Sequence, residues 1–413
     1  MTGFSTKLWN TIQTPQKTIH QSNNPTGFVV DIYSEIISAL ESEERVMLVT
    51  IISTSGSTPA SAFSKMLIKN SGTGSVGTVG GGCLEADVLE AAKRLYASEK
   101  AEILTFKLNE DEFVQGLICG GNLEVLVEPV SQSQVGLIRR IHELRIEGED
   151  TVLATGLRSD ATVATKNLIL APKENVILSP PRADEESEFN QILRFAQDDM
   201  TIGALKERVG KAFARNETQK IKCPRGELIL EPIAGTPGLI LFGGGHVSRS
   251  ISKAASLAGF RVTVVDDRSQ YANPERFPEA SKTLVMDFHE AVDSLRFKPS
   301  TYVLIVTRGH RSDEETLEQV VQKPAKYIGM IGSKRKVLTT FEHLMEHGIS
   351  EDDVKRVHAP VGLEIGATTA EEIGISIVAQ LIAVRRGETP PYTDKSEALR
   401  NVLRKNFKTA IRN

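Results

Sequence analysis

What this 413-residue sequence has little of narrows its class before any motif is read. Three cysteines are too few for a disulfide scaffold, and no secretory leader pattern is recognisable, so a reducing, cytoplasmic setting is expected. No apolar run approaches the roughly 20 residues needed to span a bilayer, which argues against a membrane protein. A net charge of −4 supplies no basic surplus for nucleic acid. The single tryptophan, Trp9, lies in a polar stretch without periodicity, residues 1–29, read here as an N-terminal tail. What remains is an ordinary globular composition, long enough for two or three domains with cores of their own.

The strongest positive signal is residues 239–268. The apolar run Leu239–Phe242 stops at Gly243-Gly244-Gly245, a helical pattern follows, and a β-branched run ends at Asp266. This is a strand–glycine loop–helix–strand unit of the Rossmann kind. Gly243 would permit the tight turn, Gly245 would let backbone approach a phosphate at a helix N-terminus, and Asp266 stands where such folds bind a ribose hydroxyl. Ser248 takes the third glycine position, a departure from the fingerprint. Further strands are expected at Thr283–Met286, Tyr302–Val306, Tyr327–Ile331 and Val357–Ala359, with helices between them. The fold class is therefore α/β: a doubly wound parallel sheet over residues 235–388, preceded by an α/β domain over 30–234 and followed by a polar tail, 389–413.

The preceding domain reads as a repeat. A first copy (30–130) has the helix Asp31–Glu41, strands Arg45–Ile52 and Lys65–Lys69, the helix Leu84–Ser98, and strands Ile103–Phe106 and Leu123–Val127. A degenerate second copy (150–233) echoes it at Thr151–Gly156, Ile202–Arg215 and Cys223–Pro232. The proline-containing, acidic segment 172–200 reads as a surface insertion without chemistry.

Several residues could carry chemistry. Cys83 follows Gly80-Gly81-Gly82 where a helix begins, a setting that favours the thiolate, and Cys119 lies in a second glycine turn. Thiolates suit soft metal centres, although burial as small hydrophobes is the competing reading. His246, His310 and His358 fall near C-terminal strand ends, the binding crevice of an open α/β sheet, without the spacing of a zinc signature. Ser333 and Lys334, after Gly332 at another helix start, suggest an anion site. Lys65 would face the first glycine loop if its strand pairs with the preceding one.

These residues resemble the XdhC/CoxI family, accessory proteins in the maturation of molybdenum hydroxylases. The resemblance rests on Gly56-Ser-Thr-Pro59, Lys65-Met66, Gly80-Gly-Gly-Cys-Leu-Glu85, Cys119-Gly-Gly121, Phe242-Gly-Gly-Gly-His-Val247, Val265-Asp-Asp-Arg268, Ile331-Gly-Ser-Lys334 and His358-Ala-Pro-Val-Gly-Leu-Glu-Ile-Gly366. It implies a protein without turnover of its own that binds the molybdenum cofactor (molybdopterin), holds it during sulfuration and delivers it to an apo molybdenum hydroxylase of the xanthine or carbon monoxide dehydrogenase type. By resemblance, Cys83 and Cys119 match the family's glycine-loop cysteines, expected as metal contacts, and Gly243, Gly245 and Asp266 match its Rossmann loop. With Gly81, Gly82, His246, His310, Ser333, Lys334 and His358, singled out above by position, they make up the expected cofactor contacts; a cysteine desulfurase is an expected further partner and a homodimer the expected form. Two positions depart from the pattern: Ala60 replaces an arginine and Phe63 a glycine. Two rivals remain: an NAD(P)-dependent oxidoreductase using the Rossmann crevice, and a sensing scaffold that only binds a hydroxylase.

Overall fold

The structure, a computed structural model, describes residues 18–21, 31–42, 44–58, 60, 62–69, 74–98, 100–107, 121–170, 192, 194–196, 201–215 and 217–388. The chain divides into two compact units, Val30–Thr236 and a second built from Pro237–Asn413 with Met1–Val29. No helix among the described residues is long and apolar enough to cross a membrane. The first 29 residues are not simply a tail. Thr18–Gln21 forms β1, which pairs antiparallel with the edge strand Lys282–Val285 of the second unit. Backbone pairing to an open sheet edge needs no hydrophobic period, so no pattern announced it.

In the N-terminal unit, α1 (Ile32–Glu41), β2 (Val46–Ser55), β3 (Lys65–Lys69), β4 (Gly74–Gly77), α2 (Gly82–Leu95), β5 (Glu102–Lys107) and β6 (Asn122–Val130) form the first copy. The second comprises α3 (Val135–Ile146), β7 (Thr151–Arg158), β8 (Val163–Leu170), α4 (Ile202–Arg215), β9 (Gln219–Cys223) and β10 (Gly226–Ile233). Both sheets are antiparallel, in orders β4-β3-β2-β6-β5 and β8-β7-β10-β9. The order β3-β2-β6-β5 thus recurs as β8-β7-β10-β9, and the internal repeat is real at the level of topology. Strand alternation decides the layers. Met47, Val49 and Ile51 of β2 pack under α2, while Leu48 and Ile52 face the second copy; Val152 and Ala154 of β7 pack under α4, while Leu153 and Leu157 face the first. Part of the segment expected as a surface insertion joins this core, because Ile192, Phe195 and Ala196 are buried beneath the second sheet.

The two copies exchange buried charges. Thr50 lies opposite Lys65 and Leu48 opposite Glu128, just as Thr155 lies opposite Lys166 and Leu153 opposite Glu231. Each lysine reaches the glutamate of the other copy. Lys65 Nζ is 2.5 Å from Glu231 and Lys166 Nζ 2.5 Å from Glu128, with all four side chains at most 9% exposed. A two-fold relation between equivalent faces produces this reciprocity, as in an isologous dimer.

The second unit has β11 (Gly238–Phe242), α5 (His246–Leu257), β12 (Arg261–Asp266), β13 (Lys282–Val285), α6 (Phe288–Ser294), β14 (Tyr302–Ile305), α7 (His310–Val320), β15 (Tyr327–Met330), α8 (Lys334–Glu346), α9 (Glu351–Lys355), β16 (Val357–His358) and α10 (Ala370–Arg386). Six strands are parallel in the order β13-β12-β11-β14-β15-β16, with β1 added antiparallel at one edge. This is the Rossmann order, with its topological switch between β11 and β14. Small residues bring α5 and α10 together: a Cβ on Gly374 would stand 2.9 Å from that of Ser250.

Replacing Lys65 by Met should destabilise the N-terminal unit by about 3–5 kcal/mol, because Glu231 is left charged, buried and unpaired. Lys65→Met combined with Glu231→Met should recover most of that loss. Urea unfolding of the parent and both variants measures it; a cost below about 1 kcal/mol for the single substitution would show that the pair does not hold the copies in register.

Candidate functional site

The first candidate site lies at one end of the five-stranded sheet. Gly80, Gly81 and Gly82 have φ of 125°, 76° and 62°, a run of left-handed backbone that glycine alone adopts without strain. It ends in α2, with Gly81 as N-cap and Cys83 exposed in the first turn. No atom stands within 4 Å of where a Cβ would be on Gly81 or Gly82, so the loop presents an open backbone face. Glu85 holds the loop in shape, its Oε1 accepting from Thr78 Oγ1 at 2.5 Å and from the Val79 and Gly81 amides at 3.1 Å. Foremost the Thr78 hydroxyl, and then those amides, hold its carboxyl below the usual carboxylate range. At the same sheet end, Gly121 packs against the Ser55–Ser57 turn, where a Cβ would meet the Ser57 carbonyl at 2.3 Å. Cys119, two residues earlier, lies outside the described residues.

The two departures from the family pattern acquire physical meaning here. Ala60, in the arginine's place, joins the hydrophobic cluster of Val79 and Leu84. Phe63, in the glycine's place, retains a left-handed φ of 68°. The backbone turn is therefore kept, at a local cost of roughly 1–2 kcal/mol.

The second candidate site is the crevice of the Rossmann unit. Gly243 has φ 105°, and a Cβ on it would meet the Val306 carbonyl at 2.2 Å; one on Gly244 would meet the Tyr271 carbonyl at 2.0 Å. Gly243 is required by the close approach of the chain leaving β14, and Gly244 by that of the Tyr271 turn after β12. Gly245 differs, with ordinary φ −68° and nothing within 4 Å of a Cβ. The fold does not require glycine there, whereas close approach of a ligand would. On the neighbouring strand, Gly309 opens α7 in the same way. Two Gly-His pairs, Gly245-His246 and Gly309-His310, thus begin helices on either side of the switch point, both histidines exposed.

Helix caps separate open starts from closed ones. Asp31, Asp287, Ser333, Ser350 and Thr369 each cap their own helix through the side chain, whereas α2, α5 and α7 begin at glycines that provide no side-chain cap. At the start of α8, where an anion site is expected at Ser333 and Lys334, the side chains are arranged differently from the glycine starts. Ser333 Oγ already accepts from the Lys336 amide, Lys334 stands exposed, and Lys336 turns inward to pair with buried Asp313. Asp313 in turn accepts from the Thr307 amide and hydroxyl at 3.0 and 2.6 Å, fixing the loop ahead of α7.

Three other expected residues are engaged by neighbours. Asp266 is 1% exposed and accepts from Gly244 N, Arg268 N, Arg268 Nε and Arg268 Nη2 at 2.8–3.1 Å. An ionised carboxylate has about four acceptor sites, so none is left for a ribose hydroxyl. His358 lies opposite Gly329 of β15, and its ring is stacked on Tyr327, 4.5 Å between ring centroids. Lys65 bonds Thr50 Oγ1 and Glu231 rather than facing the glycine loop. Glu85, Arg268 and Asp313 were missed as organisers. The first two stand inside family motifs, in a helix first turn and directly after the Asp pair; Asp313 had no such marker. Among the described residues no group of three or more His, Cys, Asp and Glu could hold a metal ion.

Because the Glu85 pKa is lowered on folding, its bracing of the loop is fully present above the ordinary value of 4.5 and is lost as pH falls through the lower folded value. Glu85→Gln should imitate that loss at neutral pH, raising hydrogen exchange of the Val79 and Gly81 amides by roughly tenfold. Exchange mass spectrometry checks this, and unchanged protection would mean that the glycines hold the loop unaided.

Comparison with known proteins matches both units. Residues 239–381 match the family model described as the XdhC Rossmann domain, and residues 39–107 that of the XdhC and CoxI family. The chain is 36% identical over 193 residues to the uncharacterized protein YqeB of Escherichia coli K12, covering 45% of this chain and 35% of that one, so it spans about a third of that relative's length. A protein of Bacillus subtilis 168 described as a probable xanthine dehydrogenase subunit is 23% identical over 361 residues, covering 86% of this chain and 98% of that one. A crystal structure described as a xanthine dehydrogenase from Bacillus halodurans superposes with a TM-score of 0.65 at 25% identity, covering 89% of this chain and 99% of the other. With a family match on each unit and relatives aligned along most of its length, the chain belongs to the XdhC/CoxI family.

Proposed function

We propose that this chain is a maturation factor that receives the molybdenum cofactor, keeps it while its terminal sulfido ligand is installed, and passes it to an apo molybdenum hydroxylase of the xanthine or carbon monoxide dehydrogenase type. The observation that carries this reading is the exposed Cys83 thiol on an open glycine loop at the start of α2. The cargo is a phosphorylated pterin dithiolene. A thiolate suits its soft metal end, and helix starts with open backbone suit its phosphate. Cys119, from the same family motif set, is assigned as the second sulfur contact. A cysteine desulfurase is the sulfur source that this role requires, and a homodimer in the cytoplasm is the expected form.

The second reading, an NAD(P)-dependent oxidoreductase, is weakened in its NAD form because the acceptor sites of Asp266 are filled by Gly244 and Arg268. A scaffold that binds a hydroxylase without cargo has no use for an exposed thiol set in such a loop.

Cys83→Ala should lower retention of the molybdenum cofactor by about tenfold or more, read as molybdenum and released pterin per chain. Melting temperature should not change, since Cys83 is exposed. Retention equal to that of the parent would remove the thiol from the proposal, and a parent chain that neither holds pterin nor activates an apo-hydroxylase would overturn the function itself.

A further inference from the structure

The Rossmann crevice differs from a diol-binding nucleotide site at one corner. In such folds the acid that ends the second strand takes the ribose hydroxyls, and a nearby arginine takes a phosphate where the ligand carries one. Here that acid, Asp266 at the end of β12, is saturated. Gly244 N and Arg268 Nη2 donate to Oδ2 at 2.8 and 3.0 Å; Arg268 N and Nε donate to Oδ1 at 3.1 and 2.8 Å. The group left facing solvent is Arg268 itself. Its side chain is 27% exposed, and its guanidinium lies 3.7 Å from the centroid of the Tyr271 ring.

Asp266 is paired with Arg268, and Asp267 with Arg308 at 2.8 Å and with Arg268 at 3.6 Å. Arg276 adds a further guanidinium: its Nε donates to the Gly244 carbonyl at 2.9 Å, and its Nη2 is buried without an acceptor. Arg276 also flanks the Tyr271 ring, 5.2 Å from its centroid, so two guanidinium groups share one aromatic ring beside the glycine loop. The glycine loop itself offers the open Gly245 start of α5 and its positive helix end.

The geometry points to Arg268 as the residue that makes this crevice select a ligand bearing a phosphate monoester over the matched ligand that presents a bare hydroxyl there. The inference rests on the crevice at β11 and β14 being a ligand site, and it names the chemistry that site prefers. With Nε and one Nη2 hydrogen given to Asp266, Arg268 keeps its Nη1 hydrogens and the second Nη2 hydrogen for a phosphate, on a guanidinium held over the Tyr271 ring, a geometry that a lysine does not offer. If Arg268 served only to staple Asp266 to the glycine loop, its removal would change stability and leave the preference between matched ligands untouched.

The test uses the full chain and two matched pairs of probes: NADPH against NADH, and a fluorescent 6-alkyl pterin with against without its terminal phosphate. In the parent, the phosphorylated member of at least one pair should bind about tenfold tighter or more, the effect of one charge-assisted contact. Arg268→Ala should bring that ratio to about one and strengthen binding of NADH or the dephosphorylated pterin, because the freed Asp266 becomes an acceptor. Arg268→Lys, which keeps the charge without the fork, should fall between. A parent that shows no phosphate preference in either pair, a parent that binds none of the four probes, or a preference that survives Arg268→Ala overturns the inference. The parent measurement decides even where a variant fails to fold. The nucleotide pair remains informative if the chain carries no molybdenum cofactor, and equal binding within both pairs would sink this inference while leaving the cofactor role standing.

Discussion

A charge removed from water must find its partner inside the protein, and this constraint organises both units. Uncompensated burial of a carboxylate or an ammonium costs several kcal/mol. In the N-terminal unit the requirement is met across the repeat, each copy completing the other through Lys65–Glu231 and Lys166–Glu128. In the Rossmann unit it is met at the end of β12 by Asp266 with Arg268, and between α7 and α8 by Asp313 with Lys336. These pairs determine which polar residues are structural. Lys65 and Asp266, both attractive as site residues, are committed to partners. The groups left over, Cys83, His246 and His310 among them, are exposed at glycine-started helices.

The repeat explains the division of labour between the two copies. They share strand order, register and inward-facing pattern, but their loops differ. The first copy has the open glycine loop ahead of α2 and a long β5–β6 connection containing Cys119; the second joins β9 to β10 through Pro224-Arg225 alone. The second copy thus gives the first a packing surface and two charge partners, while the exposed thiol of Cys83 stands in the first. Its own cysteine, Cys223, bonds the Ile221 carbonyl at the end of a strand.

Much of the fold was legible because it is written in local periods. Short apolar runs located β2 and β3, the echo of the first copy located β7, the capping box Thr369–Glu372 marked the start of α10, and glycines at the end of β11 marked the Rossmann turn. The repeat showed through Thr, Leu and Glu-Pro at matching offsets even where the loops had diverged. What was not legible has a common character. β1 is held by backbone pairing to a remote edge, Ile192 and Phe195 are buried from inside a proline-containing polar segment, and His358 is aligned by a ring it meets only in three dimensions.

The sequence by itself determined the chain's class, its Rossmann-kind unit, the echo between its two N-terminal copies and its family, because these depend on residue type and spacing along the chain; the strand order came with the structure. Only the tertiary structure decided which of the candidate residues are available. Hydrogen-bond capacity is finite, and whether Asp266, Ser333 or Lys65 has any to spare depends on neighbours brought together by folding. The same motif letters can therefore mark a ligand contact in one fold and a closed internal bond in another. The difference lies in where the last donor or acceptor has already gone.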